Sequence, residues 1–309
     1  MPLAIADITY SLPARVVTND DLAVEQPTWD MARVASRTGV LRRHIAEDET
    51  AFDLACRAAS ELMSRNPSAK DVDAILFCTQ TPDQVMPPNS ALLHEYLGLK
   101  DQVFALDFTL ACSGFVYGLA QAVGLLAAGI ASSILLVTAD TYSRLIDPND
   151  RGPRVLFGDG AAVTWLTSGE RGLVDIALAT SGRDHRAFMV PKGSATLQMN
   201  GLQVLGFVRS HVPGQVRDLL TRNQLTIDDI DLFIFHQASR MALEALTLDL
   251  GIEEGRMYSN LERVGNTVSA SIPMALRDAI DDGRAGRGSR VVLCGFGVGM
   301  SWATAIVDL

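Results

Sequence analysis

The chain has 309 residues, 48% of them hydrophobic and 20% charged, and a net charge of −10. That is the composition of a globular protein able to bury a sizeable core, in two domains or one large one, and not of a disordered or fibrous chain. An acidic chain without a basic run is a poor ligand for nucleic acid, so that class is set aside.

In chain order, the start MPLAIADITYSLP lacks the basic residues and long apolar run of a signal peptide. Cys56, Cys78, Cys112 and Cys294 stand far apart, without a CxxC pair. Neither a disulfide framework nor zinc-ligand spacing is present, and a reduced, cytoplasmic setting is expected. A helical pattern covers Asp53–Met63, and Asp71–Cys78 (DVDAILFC) reads as an acidic turn followed by a buried strand. No charge occurs between Asp107 and Asp140, a stretch long enough to span a bilayer. It divides, however, into a strand-like Val103–Leu110, a helical Ser113–Ala128 stopped at Gly129, and a short strand Ser133–Thr138. A buried strand–helix–strand unit, with no membrane contact, is expected.

The second half echoes the first. Asp229–His236 (DIDLFIFH) repeats DVDAILFC at an offset of 158 residues, and Val291–Cys294 (VVLC) resembles Ile134–Thr138 (ILLVT). Each second segment leads through a glycine cluster into a strand containing tryptophan. Helical patterns at Arg240–Leu250 and Ala270–Ile280 complete the alternation. The expectation is an α/β fold of two similar lobes, 1–168 and 169–309.

Three residues stand where chemistry collects. Cys112 ends a strand and opens a helix, where free N–H groups lower a thiol's pKa; it is either a nucleophile or a small buried residue. His236 ends a buried strand, the place where α/β sites assemble, or it is a structural histidine. Gln237 beside it orients the ring or caps the helix. Asn266 precedes a helix and is either a cap or an amide donor. His44, His94, His185 and His211 read as surface residues. The glycines at 295–299 fail the context of a dinucleotide fingerprint, since a strand follows. They fit a tight turn presenting N–H groups to an oxyanion. Neither a GxSxG elbow nor a GxxxxGK[ST] loop occurs.

These residues and their flanks resemble the β-ketoacyl-acyl carrier protein synthase III family of the thiolase superfamily. The resemblance runs through SLPARVVTNDDLA, SRTGVLRRHI, DFTLACSGFVYGL, DPNDRGPRVLFGDGAA, FHQAS, RVGNTVSASIP and GFGVGMSWATAIV. It implies the duplicated five-layer αβαβα thiolase fold, usually as a homodimer. It makes Cys112 the nucleophile, with His236 and Asn266 completing a Cys–His–Asn triad. The backbone N–H groups of Cys112 and Val298 would form the oxyanion hole. Arg37 and Arg151 match basic residues near the phosphates of coenzyme A. Met86 matches a side chain that reaches the partner's acyl pocket, and Ala238 and Ser239 match substrate-binding positions. The implied reaction acylates Cys112 from an acyl thioester, then condenses that group with a malonyl thioester as carbon dioxide leaves. Coenzyme A or acyl carrier protein thioesters are the substrates, and no metal or redox cofactor is implied.

The chain also departs from the family. The tryptophan expected four residues before the RTG arginine is Arg33, with Trp29 one helical turn earlier. The motif HQAN-x-R reads HQAS-R-M, which replaces its asparagine by Ser239 and its carrier-docking arginine by Met241. Leu248 and Asp249 occupy further basic docking positions, the oxyanion-turn glycine is Val298, and the loop between His185 and Met199 is short. These changes point to a specialised member, in fatty-acid or polyketide secondary metabolism. The alternatives are acyl transfer from Cys112 to a hydroxyl or amine, thioester hydrolysis, and a non-catalytic partner role.

Overall fold

The computed structural model describes residues 2–309. Its first sheet contains β1 (Leu3–Ser11), β2 (Ala74–Cys78), β3 (Phe104–Phe108), β4 (Ser133–Asp140) and β5 (Gly160–Ser168), in the spatial order β1-β5-β4-β2-β3. The second contains β6 (Leu173–Thr180), β7 (Leu232–Phe235), β8 (Arg290–Gly297) and β9 (Ser301–Asp308), in the order β7-β8-β9-β6. The sequence echo maps onto these sheets. β2 runs parallel to β4 with Ala74 opposite Ile134, and β7 runs parallel to β8 with Leu232 opposite Val291. β4 and β8 each then pair antiparallel with the strand that follows the glycine cluster. β3 has only a trace of a counterpart, the bridge between Phe233 and Met257.

The longer helices are α1 (Met31–Thr38), α2 (Ala51–Arg65), α3 (Asn89–Leu97), α4 (Gly114–Ala127), α5 (Gly201–Arg222), α6 (Arg240–Leu250) and α7 (Ser271–Asp281). Their starts follow local chemistry. Thr50 and Asp53 form a capping box at α2, and Ser239 accepts from the Ala242 N–H at α6. α4 and α7 lie between the sheets, where Phe115, Val116 and Leu119 share one core with Ile272, Leu276 and Leu293. α2 covers the outer face of the first sheet, and α5 and α6 cover the outer face of the second. The result is five layers, αβαβα. Each fully buried Leu or Phe in the central layer contributes about 1.5–3 kcal/mol.

That layer accounts for the uncharged run. α4 has 14 residues, about 21 Å, and both its sides face apolar strands. Among the described residues, no helix is long and apolar enough to cross a membrane. Element ends moved by at most two residues from expectation, and Arg240–Leu250 did not move at all. β3 stops two residues early, at Phe108, because the chain breaks into a tight turn at Ala111–Ser113.

Candidate active site

Cys112 stands in a three-residue turn, Ala111–Ser113, between β3 and α4. Ala111 has φ +43°, a left-handed conformation rare outside glycine. The second sheet closes on this turn through β8. A Cβ at Gly295 would meet the Cys112 carbonyl oxygen at 2.7 Å, and one at Gly297 would meet the Cys112 Cβ at 2.8 Å. Glycine there permits the backbone approach that brings the two sheets together at the thiol. Val298 follows, opening a short turn, so its N–H has no acceptor within that turn.

His236 leaves the end of β7 and is 2% exposed. Its N–H donates to the Cys294 carbonyl at 2.7 Å. Its ring lies edge-on to Phe296, and its Nδ1 is 2.7 Å from the Ser271 hydroxyl at the start of α7. Asn266 is fixed by its backbone: its N–H donates to the Leu156 carbonyl, and its carbonyl accepts from the Gly158 N–H. Its Oδ1 accepts from the Val268 N–H at 3.0 Å, which turns its Nδ2 toward His236 Nε2, 3.4 Å away. Gln237 neither orients the ring nor caps α6. Its amide donates to the Phe235 and Tyr258 carbonyls and accepts from the Ser259 hydroxyl and the Asn260 N–H. It thereby ties the histidine's strand to the segment that leads to Asn266.

Cys112, His236 and Asn266 open onto one cleft of about 640 Å³. Its inner walls are apolar, with Phe157, Phe188 and Phe296 among them. Arg37, Leu202 and Met241 stand toward its exposed mouth, and Ala238 and Ser239 line it. Ser239 uses its hydroxyl as the cap of α6. Arg151 is exposed beside Gly152, which lines the cleft. Met86 is 78% exposed and stands outside this chain's own cleft. Trp29 packs against the small core of Val17, Leu22 and Val34.

Electrostatics correct one expectation, the lowered pKa of the Cys112 thiol. Burial, with the charge of Asp140 next, pushes the Cys112 thiol far up, against the lowering by its own backbone N–H. The resting group is therefore a neutral thiol, not a thiolate. Burial also pushes His236 down to about 3, so its imidazole is neutral. The other histidines are less free than expected. His44, His94 and His211 bond backbone carbonyls, and His211 stacks on Phe207. Cys56, Cys78 and Cys294 are buried, as expected.

Sequence reasoning passed over Asp140 and Ser271 as parts of the site. Asp140 is wholly enclosed and accepts from the Gln80 N–H and the Ser269 hydroxyl; burial pushes it up to about 7. Its signal in the sequence was the first charge after an uncharged run.

Two family models match the chain: the 3-oxoacyl-[acyl-carrier-protein] synthase III model over residues 106–182, and the model of that family's C-terminal region over residues 220–309. A β-ketoacyl-[acyl-carrier-protein] synthase III of Streptococcus suis is 34% identical, over 99% of this chain and 98% of its own. A crystal structure of the synthase III of Pseudomonas aeruginosa superposes with a TM-score of 0.95 at 37% identity, covering 100% of this chain and 98% of that one. A priming β-ketosynthase of a polyketide biosynthetic pathway superposes with a TM-score of 0.92 at 26% identity, over 99% of this chain and 96% of that one.

Proposed function

Because this chain belongs to the 3-oxoacyl-[acyl-carrier-protein] synthase III family and has its duplicated thiolase fold, we propose that it condenses an acyl thioester with a malonyl thioester through Cys112. The observation that carries this reading is the convergence of one thiol and two side-chain nitrogens, from His236 and Asn266, on one apolar-walled cleft.

In the first half-reaction the Cys112 sulfur attacks the thioester carbonyl. The N–H groups of Cys112 and Val298 receive the developing oxyanion. The acyl group moves to sulfur, and the thiol proton departs with the leaving thiol. A neutral resting thiol suits this step, since no buried anion has to be held between turnovers. In the second half-reaction a malonyl thioester binds with its carbonyl oxygen between His236 and Asn266. Loss of carbon dioxide leaves its electron pair on the enolate, whose oxygen the two N–H donors stabilise. The enolate carbon attacks the acyl-enzyme, and the Cys112 sulfur leaves and regains a proton from water at the mouth of the cleft. An imidazole that stays neutral at physiological pH acts here as a hydrogen-bond donor, not as a charge. Each such donor contributes about 2.7–4 kcal/mol to the transition state.

Arg37 and Arg151 make no ion pair among the described residues and supply the positive charge for a coenzyme A phosphate near the mouth. On α6, by contrast, Met241 and Leu248 are exposed and Asp249 is held by Arg209. That face offers an acidic carrier protein little charge, which supports a coenzyme A donor. It also gives weight to the second reading, acyl transfer to a small hydroxyl or amine acceptor.

A homodimer is part of the proposal. β3 is an edge strand whose Phe104, Ala105 and Leu106 are exposed, and Val85 and Met86 stand out nearby in sequence, 94% and 78% exposed. An apolar unpaired edge invites a second copy. The division into halves at residues 168 and 169 is proposed on the same footing, supported by the gap between β5 and β6.

The test is intact mass after incubation with a panel of acyl-coenzyme A donors. One added acyl group, absent from Cys112→Ala, is expected. Malonyl-coenzyme A should then convert that species to a 3-oxoacyl product with release of carbon dioxide. Product formed only with alcohols or amines would replace condensation by the second reading.

A further inference from the structure

We infer that Ser271 is a positioning residue that fixes the tautomer of His236, its hydroxyl donating to Nδ1 so that the single ring proton stands on Nε2, facing the cleft. This inference rests on the reading that His236 acts as a donor to the malonyl thioester.

Three observations carry it. First, the Ser271 hydroxyl and His236 Nδ1 are 2.7 Å apart and both side chains are buried. Nδ1 is the sole hydrogen-bond partner of that hydroxyl among the described residues. If Nδ1 carried the proton, it would donate to the hydroxyl oxygen, and the hydroxyl's own proton would be buried without an acceptor. With the hydroxyl as donor its proton is satisfied in the interior, and the ring proton is the one left facing the cleft.

Second, Asn266 is not free to rotate its amide. The Val268 N–H holds Oδ1, so Nδ2 faces His236 Nε2 at 3.4 Å. With the proton on Nδ1, Nε2 would be an acceptor and the asparagine would donate to it. The two groups would then consume each other. With the proton on Nε2, both are donors and both require an oxygen between them. The tautomer therefore decides whether the pair is satisfied internally or needs a ligand.

Third, the fold does not demand a hydroxyl at this place. The turn Val268–Ala270 before α7 repeats the turn Ala111–Ser113 before α4, and each begins with a residue at positive φ. The residue after the first turn is Gly114 and the residue after the second is Ser271. The β-strand end facing Gly114 presents Cys78, where the one facing Ser271 presents His236. A glycine serves the turn and helix start equally well where no imidazole has to be set.

The test uses the full-length protein with nitrogen-15 in its histidines. The ring-nitrogen shifts and their couplings to ring protons report the tautomer of His236, assigned by its loss in His236→Asn. The expected result is a proton on Nε2 in the unsubstituted protein. Ser271→Ala should move the proton to Nδ1 or mix the two tautomers, and Ser271→Thr, which keeps the hydroxyl, should retain Nε2–H. Condensation with malonyl-coenzyme A should fall at least about tenfold in Ser271→Ala, with acylation of Cys112 unchanged by intact mass. A proton on Nδ1 in the unsubstituted protein overturns the inference without any variant. So does a Ser271→Ala protein that keeps Nε2–H and full condensation. The tautomer needs no substrate, so a serine-dependent Nε2–H in a protein that never acylates Cys112 would support the role of Ser271 and sink the proposed function instead.

Discussion

The molecule contains the same turn twice, and only one copy is open. Ala111-Cys112-Ser113 leads into α4, and Val268-Ser269-Ala270 leads into α7. Each turn faces strand ends of the other half. At Cys112 these ends supply Gly297, which leaves room beside the sulfur, and His236, which lines the cleft. At Ser269 they supply Asp140, which accepts the serine's hydroxyl at 2.8 Å, and Cys78, which is wholly buried. One place has a thiol and space. The other has a satisfied hydrogen bond and none. Duplication thus built one backbone device, and side-chain size at four strand-end and turn positions made one copy a site and the other a joint.

The largest way to break this comparison is at the one sulfur and two nitrogen groups of the open copy. Cys112→Ala should abolish acyl-enzyme formation, read by intact mass. His236→Ala and Asn266→Ala should each still acylate yet lose about 10²–10³-fold in condensation, because each removes one donor to the enolate. Equal loss of acylation in all three would mean that the halves do not divide the reaction.

Gly297→Ala tests the contact between halves. Its Cβ would fall 2.8 Å from the Cys112 Cβ and 3.0 Å from the sulfur. Displacing that turn should cost about 1–3 kcal/mol in urea unfolding and slow acylation. A fully active, fully stable variant would show that the approach of β8 is not needed.

Acid and base should act on the two copies with opposite sign. His236 folds with its pKa lowered to about 3 from 6.5. The unfolded chain therefore binds a proton first, and stability falls as pH drops from about 6.5 toward 3. Asp140 folds with its carboxyl pushed up to about 7 from 3.8. Here the unfolded chain loses its proton first, and stability falls as pH rises from about 4 to 7. At about 1.4 kcal/mol per unit each window spans a few kcal/mol, and the two oppose each other where they overlap. Asp140→Asn should unmask the loss toward acid, and His236→Asn the loss toward neutral pH, in denaturation midpoints taken between pH 4 and 7. Identical profiles for both variants would contradict the assignment.

The smallest effect sharpens the boundary of the site. Ser239→Ala removes the cap of α6 and should cost about 1 kcal/mol of stability, leaving the rate of acylation as it was. A large fall in acylation would move Ser239 from the helix cap to the substrate.

The sequence by itself determined the α/β alternation and the echoed halves, and marked the candidate site residues. Alternating strands and helices, the echo at 158 residues and the uncharged run around α4 pointed to an α/β fold of two similar lobes with a buried strand–helix–strand unit, and the family resemblance implied its five layers. The positions of Cys112, His236 and Asn266 at element ends marked them before their distances were known. Only the tertiary structure decided how those groups are held and charged. Helix position argued for a thiolate at Cys112, yet enclosure by the second sheet left a neutral thiol, because desolvation depends on what packs from elsewhere. The partner of His236 Nδ1 lies 35 residues on, and the rotation of Asn266 is set by the Val268 N–H at a left-handed turn. Periodicity reports which face a residue occupies. It carries no record of which proton meets which lone pair once the two halves close.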